Sequence, residues 1–295
     1  MAAAMRPDGV ILATPNHLHV PQALWCLDQG IPVLVEKPVA HDIAEGERLL
    51  AATQLSGVPV LVGHHRRHSA YMQAAVGIVQ SGALGDIVAA NAMYLLHKPD
   101  ADGYFSDAPW RTRAGAGPLL LNTIHDIDNL RALCGEIVQV QAMLSSKARG
   151  FEVEDTAMVN LRFDSGALGT IAVSDCVTSN MSWEQTTVED PVFTETRNDR
   201  DDCYTICGTM GTVGVPTMRL QSYHAETDKS WKIPFEQSGV HVTPVDPLAA
   251  QLAHFVDVIR GSAHPIVTVE DGLNNLRVVE AIRKSAHTGC LVEVC

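Results

Sequence analysis

The stretch GVILATPNHLHVPQALWCLDQGIPVLVEKPVA, residues 9–40, decides the fold. A short apolar run comes first, a helical segment near 18–29 closes at Gly30, and VLV at 33–35 stops abruptly at a glutamate, a lysine and a proline. Short runs rich in β-branched residues read as buried strands, and charges at such an end are solvated loop residues or chemistry. Working outward, a helix near 42–56 opens at Asp42 with Glu45 three residues on, as in a capping box, and VPVLVG follows at 58–63. Strand, helix, strand, helix, strand predicts a parallel, doubly wound sheet with right-handed crossovers.

From about residue 86 the pattern changes. DIVAANAMYLL, EIVQVQAML, DTAMVNLRF and ALGTIAVSD are strand-like, and Asp164, Ser165 and Gly166 make a short turn between the last two. Period-two runs joined by a tight turn imply an antiparallel sheet. A helix is expected over about 118–133, a polar, irregular stretch over 177–202, and two helices near 248–260 and 270–287. No repeat or low-complexity segment occurs, so a parallel α/β unit precedes an α+β domain.

The chain has 295 residues, 46% of them apolar, enough for a sizeable core in one large domain or two smaller ones. Twenty-one basic against thirty-four acidic residues give a net charge of −13, which repels phosphate backbones and argues against general nucleic-acid binding. No apolar run approaches the ~20 residues that cross a bilayer, and the amino terminus lacks a secretory signal, so a cytoplasmic protein with no membrane partner is expected. The seven cysteines are odd in number and scattered, with no CxxC pair, and read as reduced core fillers.

Two polar clusters end strands of the parallel unit: Thr14-Pro15-Asn16-His17-Leu18-His19 and Glu36-Lys37-Pro38. Ligands of open parallel sheets bind outside the carboxyl ends of the strands, so the clusters would line one crevice. The bland alternative is that Asn16 or His17 caps the next helix while Glu36 and Lys37 are loop charges. In the helix over 118–133, Leu120, Ile124, Ile127 and Leu130 form the buried stripe, while Asn122, His125, Asp126 and Asn129 form another face. His125 could orient a substrate hydroxyl or carry its proton, or simply be satisfied by nearby carboxylates. Gly63-His64-His65-Arg66-Arg67-His68 is either a hydroxyl- or carboxylate-binding edge or an exposed basic turn. Neither HExxH nor GxSxG occurs, and no metal is expected.

The order TPNxxH, EKP, GHHRR, WR at 110–111, a glycine pair at 115–117 and HDID at 125–128 closely resembles the Gfo/Idh/MocA family of NAD(P)-dependent sugar and inositol oxidoreductases, from about residue 8 to the end. The resemblance implies an α/β protein: a partial Rossmann-like parallel sheet in a dinucleotide-binding domain, residues 1–66, followed by an α+β domain with a large, mainly antiparallel sheet, residues 67–295, for substrate binding and oligomerisation. It implies NAD or NADP as cofactor, a small polyhydroxy substrate, and a homo-oligomer, dimer or tetramer. Lys37 matches the lysine that contacts substrate and assists proton transfer, and His125 matches the second catalytic residue. Glu36 and Pro38 would shape the nicotinamide site, Thr14, Pro15, Asn16 and His19 line the dinucleotide crevice, and Trp110 and Arg111 contact cofactor or substrate. Arg66, Asn122 and Asp128 join Lys37 and His125 as expected substrate-binding residues.

Two features depart from the family pattern. Many members carry an aspartate four residues before the histidine, where this chain has Leu121, which leaves Asn122 or Asp128 as a partner for His125. No GxGxxG occurs at the required spacing, and Met1–Asp8 looks like the tail of a helix running into a strand. The sequence is therefore expected to lack the family's amino-terminal portion and to bind NAD(P) weakly or not at all, which micromolar binding by calorimetry would overturn. A hydride-transferring oxidoreductase is the leading reading. A non-catalytic sugar-binding or regulatory protein is the alternative, and the presence of both Lys37 and His125 favours the first.

Overall fold

The apolar runs of the first sixty residues form β1 (Val10–Leu12), β2 (Val33–Glu36) and β3 (Val60–Gly63), a parallel sheet in sequential order. Helices α1 (Asn16–Asp28) and α2 (Ile43–Ser56) make the crossovers and pack against each other. The Asp42 side chain accepts from the Glu45 N–H at 2.9 Å, the cap its sequence announces, worth about 1 kcal/mol. At α1 the structure corrects the capping alternative: Pro15 holds the N-cap position with no side-chain bond, and neither Asn16 nor His17 caps. This computed structural model describes residues 7–99, 103–187, 189, 200–223 and 229–295.

The chain forms two compact units. The first contains residues 1–68 and 246–277, the second 69–245 and 278–295. In the first, Leu34 and Leu61 of the sheet pack with Phe255 of α6 (Pro247–Ile259). Glycines let the helices close on the sheet: a methyl on Gly9 would meet Ile259, and one on Gly272 would meet Val39 and Val62.

The second unit is built on a ten-stranded sheet. Its strands are β4 (Ile87–His97), β5 (Ile137–Ser145), β6 (Thr156–Phe163), β7 (Leu168–Ser174), β8 (Cys176–Met181), β9 (Tyr204–Gly208), β10 (Gly211–Val215), β11 (Arg219–Ser222), β12 (Glu236–Gly239) and β13 (Val292–Glu293). The order is β12-β11-β10-β9-β4-β7-β6-β5-β13, with β8 added to β4. All described pairings are antiparallel except β4 with β7, which runs parallel from Ala89 opposite Leu168 to Leu95 opposite Ser174. The turn at 164–166 forms where expected, with Gly166 at φ +90°. Alternate residues Ala90, Ala92, Tyr94 and Leu96 face inward, on the strand that helix α4 (Ile124–Cys134) packs against. The stretch expected to be irregular is ordered where described: β8 pairs with the end of β4, and α5 (Trp183–Thr186) is capped by Ser182. Residues 188 and 190–199 lie outside the described residues.

Candidate active site

In the first unit, β1 and β2 are parallel neighbours, so the loops after them, 13–15 and 37–42, leave the same edge of the sheet. His19, 1% exposed, ties them together: its Nδ1 lies 2.9 Å from the Pro38 carbonyl and its Nε2 2.8 Å from the Thr14 carbonyl. Thr14 Oγ1 donates to Gln22 Oε1 at 2.7 Å, and the Lys37–Pro38 peptide is cis. Glu36 stands opposite Gly63, where a methyl would come within 2.9 Å of the carboxyl carbon, so glycine leaves room for that carboxylate. Burial pushes the Glu36 carboxyl above the ordinary range, while the Lys37 ammonium and backbone N–H act in the opposite direction. Lys37 is half-buried, Pro15 exposed and Asn16 half-buried.

The basic run after β3 is not an exposed turn. His64 and Arg66 are buried, Asn275 Nδ2 lies 3.2 Å from His64 Nε2, and the His68 and His254 rings are 5.2 Å apart. Helix α6 of the same unit packs against the run, and Arg66 is an interior side chain.

In the second unit, the expected helix opens with a π-helical turn, Leu119–Thr123, before α4. π turns recur at functional sites. The sequence divides this helix into apolar and polar faces, but every residue from Thr123 to Leu130 is buried, because strands as well as loops meet its polar side. The Tyr204 hydroxyl donates to Asp126 Oδ1, and Asn129 Nδ2 donates to that hydroxyl at 3.1 Å. Asn122 accepts from Lys98 Nζ at 2.6 Å. His125 and Asp128 are 4% and 1% exposed. Trp110 is 53% exposed, while Arg111 donates to the Tyr104 carbonyl at 2.7 Å and stacks 4.1 Å over that ring. Asn122, His125, Asp128 and Arg111 therefore share a unit, whereas Thr14, Pro15, Asn16, His19, Glu36, Lys37, Pro38 and Arg66 belong to the other.

Sequence reasoning missed Lys98, Tyr104, Arg149, Glu154, Asp175 and Tyr204. One signal was present: the inward alternation Ala90, Ala92, Tyr94, Leu96 continues to Lys98, a lysine at a core position just past a strand end. Asp175 follows the parallel neighbour β7, and its carbonyl accepts the Lys98 backbone N–H at 2.8 Å. Lys98 Nζ also donates to the Tyr104 hydroxyl at 2.7 Å, and Arg149 Nε pairs with Asp175 Oδ1 at 2.8 Å. Burial raises the Asp175 carboxyl, opposed by Arg149 and Lys98. Burial also raises Glu154, opposed mainly by the Leu119 N–H it accepts at 3.0 Å. Lys98, Tyr104, Arg111, Leu121, Glu154 and Asp175 line one small pocket, where ammonium, hydroxyl and carboxyl groups converge.

Among the described residues no group of three or more His, Cys, Asp or Glu side chains is placed to hold a metal, and no helix is long and apolar enough to cross a membrane. The first unit fits a nicotinamide group at one edge: two strand-end loops are bound together there by His19, and Gly63 makes room for the Glu36 carboxylate. The family described as an oxidoreductase family with an NAD-binding Rossmann fold matches residues 1–64, and the GFO/IDH/MocA C-terminal domain matches residues 72–214.

The chain belongs to the Gfo/Idh/MocA family.

It is accordingly an NAD(P)-dependent oxidoreductase. Among Gfo/Idh/MocA relatives, the chain is 28% identical to 1,5-anhydro-D-fructose reductase of Ensifer adhaerens, over 97% of this chain and 80% of that protein. It is 26% identical to scyllo-inositol 2-dehydrogenase (NADP(+)) IolW of Bacillus subtilis (strain 168), over 94% and 76%. Its fold is similar to the crystal structure of the WlbA dehydrogenase from Bordetella pertussis in complex with NADH and UDP-GlcNAcA, with TM-score 0.74, 26% identity and coverage of 100% of this chain and 81% of that one. The catalytic reading of the sequence stands over the binding-protein alternative.

Proposed function

We propose that the protein is a cytoplasmic dehydrogenase acting on a secondary CH–OH group of a sugar, inositol or related polyol. Residues 1–66 serve the dinucleotide and 67–295 the substrate and the oligomer, save that 246–277 pack into the first unit. When bound, the nicotinamide ring supplies the two-electron acceptor or donor for the hydride. Lys37 or His125 takes the hydroxyl proton as the substrate C–H bond breaks and the carbonyl forms, and returns it in the reverse direction. Glu36, Pro38 and the Thr14–Asn16 loop with His19 hold the nicotinamide side. Trp110 and Arg111 contact the cofactor or the substrate. Asn122 and Asp128 bind or orient substrate hydroxyls, whereas Arg66, expected from the sequence to join them, is an interior side chain. The 26–28% identical relatives, named as enzymes of anhydrofructose and inositol, support the substrate class.

The observation that carries the reading is Lys37 at the carboxyl end of the middle strand of a parallel sheet, in a loop fastened through Pro38 and His19 to the loop after β1. The test is a panel of inositols, aldoses and anhydrosugars with NAD and NADP, followed by absorbance of the reduced nicotinamide. Turnover of at least one polyol is expected with the cofactor at millimolar concentration, which offsets the weak binding expected without a GxGxxG, and with loss of measurable turnover in Lys37→Ala. Undiminished kcat in that variant would remove Lys37 from the chemistry.

A further inference from the structure

Tyr204 opens β9, opposite Ala92 of β4 on one side and Val215 of β10 on the other, and its side chain is wholly buried. Its hydroxyl donates to Asp126 and accepts from Asn129 at 3.1 Å, and the Trp183 ring lies against it at 5.6 Å between centroids. Asp126 and Asn129 are a turn apart on α4, and His125 sits immediately before the first and one turn before the second. A single phenol thus grips the helix at two positions within the turn that follows the histidine.

The start of that helix departs from regular α-helical phase. The π turn inserts a wider coil at 119–123, and the N-cap residue Thr123 makes no side-chain cap bond. Each residue of an α-helix turns by ~100°, so an added residue in the opening coil changes the phase of everything after it. The phase at which His125 emerges then depends on tertiary anchors, and the two bonds to Tyr204 are anchors within one turn of it.

We propose that Tyr204 is a positioning residue that sets the direction of the His125 imidazole; its consequence for turnover rests on the reading of His125 as a proton carrier. The test compares wild type, Tyr204→Phe, and as a control Tyr223→Phe, a tyrosine whose hydroxyl donates to the Ser230 carbonyl, using ring nitrogen resonances of labelled histidine with the His125 signals assigned by His125→Asn. In Tyr204→Phe the His125 signals move, kcat on the best polyol of the panel falls roughly ten- to a hundredfold, as misplaced catalytic groups cost, and KM changes little. Tyr223→Phe leaves all three unchanged. Unmoved His125 signals in a Tyr204→Phe protein with native circular dichroism would overturn the proposal. Should Tyr204→Phe not fold, Asn129→Ala removes one of the two bonds and is read by the same signals, with the same outcomes for and against. Full turnover in His125→Asn would end the proton-carrier reading, and the signals in Tyr204→Phe would still decide the role of Tyr204.

Discussion

Lys98 carries a charge at 8% exposure, with Asn122 and the Tyr104 hydroxyl as acceptors and Asp175 close enough for its carboxyl to feel the ammonium. Replacing it by methionine keeps the apolar stem and strips the donor from both acceptors. Buried polar groups left without a partner cost about 1–3 kcal/mol, and that loss is expected for Lys98→Met in urea denaturation. A stability equal to wild type would mean that the cluster rearranges freely. Glu154 gives a pH-dependent counterpart. Its carboxyl is raised in the folded state from 4.5, so the folded protein holds that proton more tightly than the unfolded chain does. The associated stability is present below 4.5 and is lost as pH rises through the folded value. Glu154→Gln, which keeps an acceptor for Leu119, should therefore gain stability relative to wild type as pH rises from 4 to 7. A difference independent of pH would contradict this.

At the scale of elements, local spacing located α2 to within a residue, because Asp42, Glu45 and the following Gly57 at φ +65° mark both ends chemically. It was silent about helix α3 (Ala70–Gln80), although Ser69 caps it through Tyr71 and Met72. It was also silent about β12, where Glu236–Gly239 show no apolar alternation and all four residues are exposed. The turn before α4 has its own constraint. Gly117 has φ +89°, and a methyl there would sit 2.8 Å from the Glu154 carboxyl carbon. Gly117→Ala should combine left-handed strain with displacement of the carboxylate that holds the Leu119 N–H, a loss of about 1–3 kcal/mol. Thermal melting would reveal it, and an unchanged Tm would show that the loop relaxes without cost.

Across the whole molecule, the outer face of the large sheet leaves Met143, Met158 and Leu168 between 53% and 79% exposed, with Met143 opposite Met158 across β5 and β6. Exposed apolar surface marks association, and the proposed homo-oligomer would bury this face. Met143→Lys with Met158→Lys should convert a dimer or tetramer to monomer in light scattering, with circular dichroism unchanged. An unaltered mass would place the interface elsewhere. Strand and helix periods are properties of neighbouring residues, so the parallel unit, the large antiparallel sheet, the strand-end position of Lys37 and the helix carrying His125 were all readable from the chain alone. What tertiary structure decided were the partners. Lys98 meets Asn122, Tyr204 meets Asp126 and Asn129, and helix α6 packs against the basic run at 64–68. Those pairings depend on strand order and on which distant segment packs over which, and no local period encodes either.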